Sequence, residues 1–253
     1  MNALVISGAA AALMLGGACV GILLRRHLPQ HHLNDHSKDV VRLGSGLVAT
    51  ITALVLGLLI TSAKNIYDIQ RQEIRQIAEK LVLQDSQLKR YGPEARHARE
   101  LQRQAIPDLI GRIWGQRAVQ SPTGAPYQPG MAGDLVFSAI EALAPQNDVQ
   151  RSLKFRVLTT TSAVTEARVL LFEEEDAGLP PALLVVVVFW LTMLFAGFTL
   201  FSPINATSAT VLAIIALSAS GAIFLILELN HPFSGLMQIS SAPIRDALGV
   251  LGP

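Results

Sequence analysis

Apolar residues fall along this chain in long unbroken blocks, separated by one stretch where they recur three and four residues apart. Residues 1–24 carry no Asp, Glu, Lys or Arg, and neither do residues 43–63 or the 51 residues from Ala177 to Leu227. A hydrocarbon core about 30 Å thick is crossed by about 20 apolar residues in a helix. The first block therefore predicts one span, about 3–24, and the second predicts another, about 43–63. The third block holds two, about 182–201 and 207–227. Ser202-Pro203-Ile204-Asn205 divides them, because proline lacks an N–H and favours a turn. Backbone groups in lipid must bond within their own segment, so all four spans are helices.

The first span differs from a secretory signal. Met1-Asn2-Ala3 offers no basic start, and the apolar run exceeds the usual 7–15 residues. Ala18-Cys19 resembles a lipoprotein cleavage site, but Gly16 stands where an aliphatic residue belongs, and Cys19 reads as a small residue at lipid depth. Four spans put both termini on one side of the membrane together with residues 64–181. The connections 25–42 and 202–206 face the other side. Lys64, Arg71, Arg75, Lys80, Arg168 and Arg245 lie near the spans on the termini side, against Arg25, Arg26, Lys38 and Arg42 in the first connection. That asymmetry leans toward a cytoplasmic 64–181 segment.

Residues 64–181 hold 15 Lys+Arg and 15 Asp+Glu, with apolar positions at helical spacing. From Lys64 to Tyr91 neither Gly nor Pro interrupts Ile66, Ile69, Ile74, Ile77, Leu81 and Leu88. The second span therefore continues as one helix for about 27 residues until Gly92-Pro93. A second helix, about Glu94–Gln116, carries Ala98, Leu101, Ala105, Leu109 and Ile113 and should kink at Pro107. Ser121–Gly133 reads as a loop. Asp134 is placed to cap a short helix to Ala144, and Asn147 or Asp148 a long one to about Glu174. The last has the cleanest stripe: Val149, Leu153, Val157, Thr160, Val164, Ala167 and Leu171. Such stripes need partners, so a helical bundle follows. The fold class is an all-α integral membrane protein. It comprises spans in 1–63, an extramembrane helical domain in 64–181, spans in 182–227 and a membrane-associated tail in 228–253.

Composition narrows the function. Charged residues make up 15% of the 253, against about 25% in a soluble domain. A net charge of +1 leaves no basic excess for nucleic acid. The one cysteine excludes an internal disulfide and a thiolate metal site. The chain shows no phosphate loop, no dinucleotide fingerprint, no H-E-x-x-H and no G-x-S-x-G. No cofactor is implied, and nothing positive supports an enzyme.

Four features could carry function. Gly46, Thr50, Ala53, Gly57, Thr61, Lys64 and Asp68 follow at intervals of three and four along one stripe of the second span. Small residues there serve either close helix packing or a pore wall, with threonine hydroxyls replacing hydration and Lys64 biasing ion sign. His32, Asp35, His36 and Asp39 would share one face if helical, a spacing that suits zinc or a pH sensor; otherwise they form a solvated connection. Glu173, Glu174, Glu175 and Asp176 could gather calcium or other cations, or be a solvated linker where the helix frays. Glu228 ends the fourth span, either at headgroup level or paired with another group, and Asn230-His231-Pro232-Phe233-Ser234-Gly235 then turns the tail back onto the membrane surface or the bundle. Trp190 lies mid-span, where it packs between helices rather than anchoring at an interface.

Arg26-His27-Leu28-Pro29, Val48-Ala49-Thr50 to Leu56-Gly57, Tyr67-Asp68 and Leu229-Asn230-His231-Pro232-Phe233-Ser234-Gly235 together resemble the bestrophin-like family of bacterial four-span membrane proteins. The resemblance implies kinship with pentameric anion channels that have a cytosolic helical domain and a second span lining the pore. It thus implies a ring-shaped homo-oligomer in a lipid bilayer, with inorganic ions as cargo. The competing expectation is a non-conducting scaffold or sensor whose helical domain binds a partner. An enzyme or secondary transporter fits least, since no inverted repeat is evident.

Overall fold

In the computed structural model, residues 2–28, 35–115, 131–176, 180–201 and 205–251 are described. Eight α-helices follow in order among them: α1 (Ala3–His27), α2 (Asp35–Tyr91), α3 (Arg96–Gly115), α4 (Met131–Glu141), α5 (Asp148–Asp176), α6 (Pro181–Phe201), α7 (Ala206–Leu229) and α8 (Ala242–Val250). A 3-10 turn, Pro93–Ala95, precedes α3. The chain forms two compact units. One is Met1–Tyr67 with Leu179–Asn230; the other is Asp68–Gly178 with His231–Pro253. The helix α2 contributes residues to both.

The first unit holds four helices long and apolar enough to cross a membrane: α1, the first part of α2, α6 and α7. Met14, Leu59, Ala63, Val187, Phe195 and Ile223 form its core. The helix α1 packs along α6 and α7. Gly17 and Gly21 permit this approach, because a Cβ on Gly17 would lie 2.5 Å from the Thr192 carbonyl oxygen and one on Gly21 would run into the Ala196 carbonyl. Thr199 Oγ1 donates across the contact to the Ala18 carbonyl at 2.8 Å, and Ser220 Oγ on α7 donates to the Ser7 carbonyl at 2.7 Å. Asn205 caps α7 by accepting from the Ser208 N–H at 2.9 Å. Trp190 is half-buried.

The second unit is a bundle of α2 (from Asp68), α3, α4, α5 and α8. The expected stripes face inward. Ile74, Ile77, Leu81 and Leu88 of α2, Leu109 and Ile113 of α3 and Val157, Val164 and Leu171 of α5 are buried, and Leu88 and Val157 share one core cluster with Tyr91, Ala98, Val136 and Ile140. Gly92 ends α2 at φ +126°, a conformation L side chains rarely adopt, so the break depends on glycine. The helix α3 continues through Pro107, which removes one intrahelical bond. Asn147 caps α5 by accepting from the Gln150 N–H at 2.8 Å. Lys154 Nζ donates to the Glu141 and Leu143 carbonyls at 2.7 and 2.8 Å, closing the C-terminal end of α4, where the helix dipole favours a cation.

Several expectations change in the structure. Asp134 is not a cap: α4 begins at Met131, so Asp134 sits in its first turn, where a carboxylate still favours the dipole. Ile69, the second position of its stripe, and Val149, the first of its own, are exposed. The helix α5 does not fray before the acidic run but reaches Asp176, carried by packing that extends to Leu171. The 25–42 connection is mostly helical: α1 runs to His27 and α2 starts at Asp35. The predicted loop at 121–133 lies mainly outside the described residues.

Candidate functional site

An α-helix turns 100° per residue, so the intervals along α2 sort its membrane segment into three faces. One packs inward: Thr52, Leu59 and Ala63 are buried, and Thr52 Oγ1 donates to its own turn at the Val48 carbonyl, 2.7 Å away. A second is bulky and exposed: Leu43, Leu47, Leu54 and Leu58. The third is the small-residue stripe. Gly46, Thr50, Ala53, Gly57, Thr61, Lys64 and Asp68 are all exposed. No heavy atom outside the local turn lies within 4 Å of where a Cβ on Gly46 or Gly57 would stand. The stripe therefore does not pack against the chain's own helices. That close packing belongs to Gly17 and Gly21 of α1, which the sequence pattern did not single out because every face of α1 is apolar.

The stripe repeats a Gly-x-x-x-Thr unit eleven residues apart. Thr50 Oγ1 donates to the Gly46 carbonyl and Thr61 Oγ1 to the Gly57 carbonyl, each at 2.9 Å. Eleven residues make about three turns, so the two threonines lie on one face about 16 Å apart along the axis. Each hydroxyl is satisfied within the helix yet keeps lone pairs directed outward. Rotating the O–H toward a passing ion costs about 1 kcal/mol, the worth of one exchanged hydrogen bond. Such a face tolerates both lipid and water.

The other candidates fall in different places. Asp35, His36 and Asp39 lie on the first turns of α2, whereas His32 lies outside the described residues. Among the described residues, no three His, Cys, Asp or Glu side chains gather as a metal site. Glu173, Glu174, Glu175 and Asp176 form the last turn of α5. Glu228 is buried at the end of α7.

The Asn230–Gly235 turn has a docking role that periodicity did not reveal. Within the second unit, Phe233 meets Trp114 of α3 edge to face, with ring centroids 5.8 Å apart at 88°. Trp114 Nε1 donates to the Ile239 carbonyl at 2.8 Å. The Ile239 N–H closes the turn on the Pro232 carbonyl at 2.6 Å, and α8 buries Ile244 and Ala247.

Four apolar helices with interhelical packing through small residues, together with a polar helical bundle, define a helical integral membrane protein. The bestrophin-like domain matches residues 12–244, and the chain belongs to that family. No curated protein matches the chain. Its fold is similar to two crystal structures of point mutants of a bacterial bestrophin homologue from Klebsiella pneumoniae. One has a TM-score of 0.68 at 14% identity, covering 97% of both chains; the other has 0.65 at 14%, covering 96% of both.

Proposed function

We propose that the protein is an ion channel of bestrophin type, formed by a ring of identical chains, five being the favoured number, with the small face of α2 lining the path. Membership of the bestrophin-like family and the likeness of fold support the class. The observation that carries the assignment of the face is the exposure of every stripe residue from Gly46 to Asp68. In this reading Thr50 and Thr61 solvate the ion, Gly46, Ala53 and Gly57 leave it room, and Lys64 at the end of the stripe attracts anions. The ring sits in the inner membrane with residues 64–181 on the cytoplasmic side. The acidic runs Glu173–Asp176 and Glu228 then remain regulatory candidates, and His32, Asp35, His36 and Asp39 a candidate metal or pH-sensing group.

Purified protein in planar bilayers tests the reading. Chloride-selective current is expected, with Lys64→Glu shifting the reversal potential toward cations and Gly57→Leu reducing unit conductance. Failure to pass current over a range of salts and pH, by particles that are dimers joined through Gly46 and Gly57, would favour the scaffold instead.

A further inference from the structure

A cavity of about 50 Å³ lies within the second unit, between α2, α3, α4 and α5. Its walls are largely apolar, with Leu81, Ile106, Leu109, Val136 and Val164 among them. Most of its polar groups are already engaged. Gln84 Nε2 donates to Thr161 Oγ1 at 2.8 Å, and Thr161 Oγ1 donates on to the Val157 carbonyl at 2.7 Å. Thr165 Oγ1 donates to the Thr161 carbonyl at 3.1 Å, and Gln102 Nε2 to the Leu81 carbonyl at 2.8 Å. Two buried atoms of the lining remain without a hydrogen bond: Gln102 Oε1 and Arg168 Nε. Gln102 is 1% exposed. Arg168 is the one charged residue in the lining, and its guanidinium lies against Gly133, where a Cβ would be 3.0 Å from Nη1.

The chemistry of the two atoms is complementary. Gln102 Oε1 only accepts, and Arg168 Nε only donates. Arg168 is half-buried, but its Nε lies out of water without an acceptor, and a carboxylate offers the geometry a guanidinium fork prefers. The volume holds roughly three to five water-sized groups. A cavity of this size, apolar with two convergent polar atoms, has room only for a molecule of a few heavy atoms. We propose that the cavity binds a short hydroxycarboxylate. Its carboxylate accepts from the Arg168 guanidinium, its hydroxyl donates to Gln102 Oε1, and its carbon meets the apolar wall. The proposal concerns binding alone and stands apart from conductance.

The test uses the full chain in detergent, with glycolate, acetate and glycolamide titrated at constant ionic strength in chloride, read by calorimetry and by thermal unfolding. Glycolate is expected to raise Tm saturably. Acetate, lacking the hydroxyl, should bind about tenfold more weakly, and glycolamide, lacking the charge, should not bind. Arg168→Gln should abolish glycolate binding and Arg168→Lys retain part of it. Gln102→Met should make glycolate and acetate equal. If the native protein responds to glycolate no more than to acetate and chloride, water alone fills the cavity and the proposal fails. It fails equally if folded Arg168→Gln binds glycolate as the native protein does.

Discussion

Gly21 of α1 lies against the backbone of Ala196 in α6, so that the smallest side chain placed on Gly21 would overlap the Ala196 carbonyl. The Thr199 hydroxyl stands equally close, and the backbone carbonyl cannot rotate away as a side chain can, so the two helices would have to part. Gly21→Ala is therefore expected to destabilise the first unit by about 1–3 kcal/mol, the usual cost of overpacking. Gly46→Ala and Gly57→Ala meet open space and should stabilise the helix by about 0.5–1 kcal/mol. Thermal unfolding in detergent checks all three. The contrast also separates folding from conduction: Gly57→Ala should leave Tm equal or higher while lowering unit conductance if its face lines the path.

Asp85 and Arg99 join α2 to α3 through a fork, Nε to Oδ1 at 2.6 Å and Nη2 to Oδ2 at 3.1 Å. The hydrogen bonds to Asp85 hold the Arg99 pKa above its ordinary value, against the opposing effect of burial. The protonated form of Arg99 is thus favoured on folding, and its contribution to stability is lost only as pH rises through the raised folded pKa, above the ordinary arginine range. Asp85→Asn should cost about 1–3 kcal/mol, less than the loss from a fully buried pair, because the Arg99 side chain is 25% exposed. Adding Arg99→Met should recover much of that loss, as measured by a double-mutant cycle in chemical denaturation.

Trp114 holds residues 231–251 onto α3 by one hydrogen bond and one aromatic edge. Trp114→Phe keeps much of the apolar surface but leaves the buried side of the Ile239 carbonyl without its donor. The expected cost is about 1–3 kcal/mol. It should appear as faster hydrogen exchange across 231–251, with the rest of the bundle unchanged. Uniform acceleration throughout the second unit would refute the assignment of a local latch.

The four apolar helices were legible because a charge-free block of about 20 residues has few other meanings, and α2 continued past Lys64 because no Gly or Pro stops it. The stripe from Gly46 to Asp68 was legible as a periodicity, but its exposure was not. Periodicity names a face without saying what lies opposite. The Trp114–Ile239 bond was illegible for a related reason: the partners stand 125 positions apart and share no repeat. Gly17 and Gly21 were hidden because a helix apolar all round gives no contrast by which to choose a face. The cavity around Gln102 has no signature in the sequence, because a polar glutamine occupies a core position beside the apolar stripe of Leu101 and Ala105.

Tyr91 closes α2 with its hydroxyl buried and without a hydrogen-bond partner. Burial, and then the charge of nearby Glu94, raise its pKa above the ordinary tyrosine value. The neutral phenol is thus the form the fold accepts. Below the pKa of the unfolded chain the group imposes no pH dependence. As pH rises through about 10 the unfolded phenol ionises first, and stability falls until the higher folded pKa is passed. Tyr91→Phe removes both the unsatisfied hydroxyl and the titration. At neutral pH the variant should match or exceed the native stability by up to about 1 kcal/mol. Its Tm should decline less steeply between pH 9 and about 11, the window in which tyrosine titrates. Parallel alkaline limbs for the two proteins would show that the Tyr91 hydroxyl reaches water.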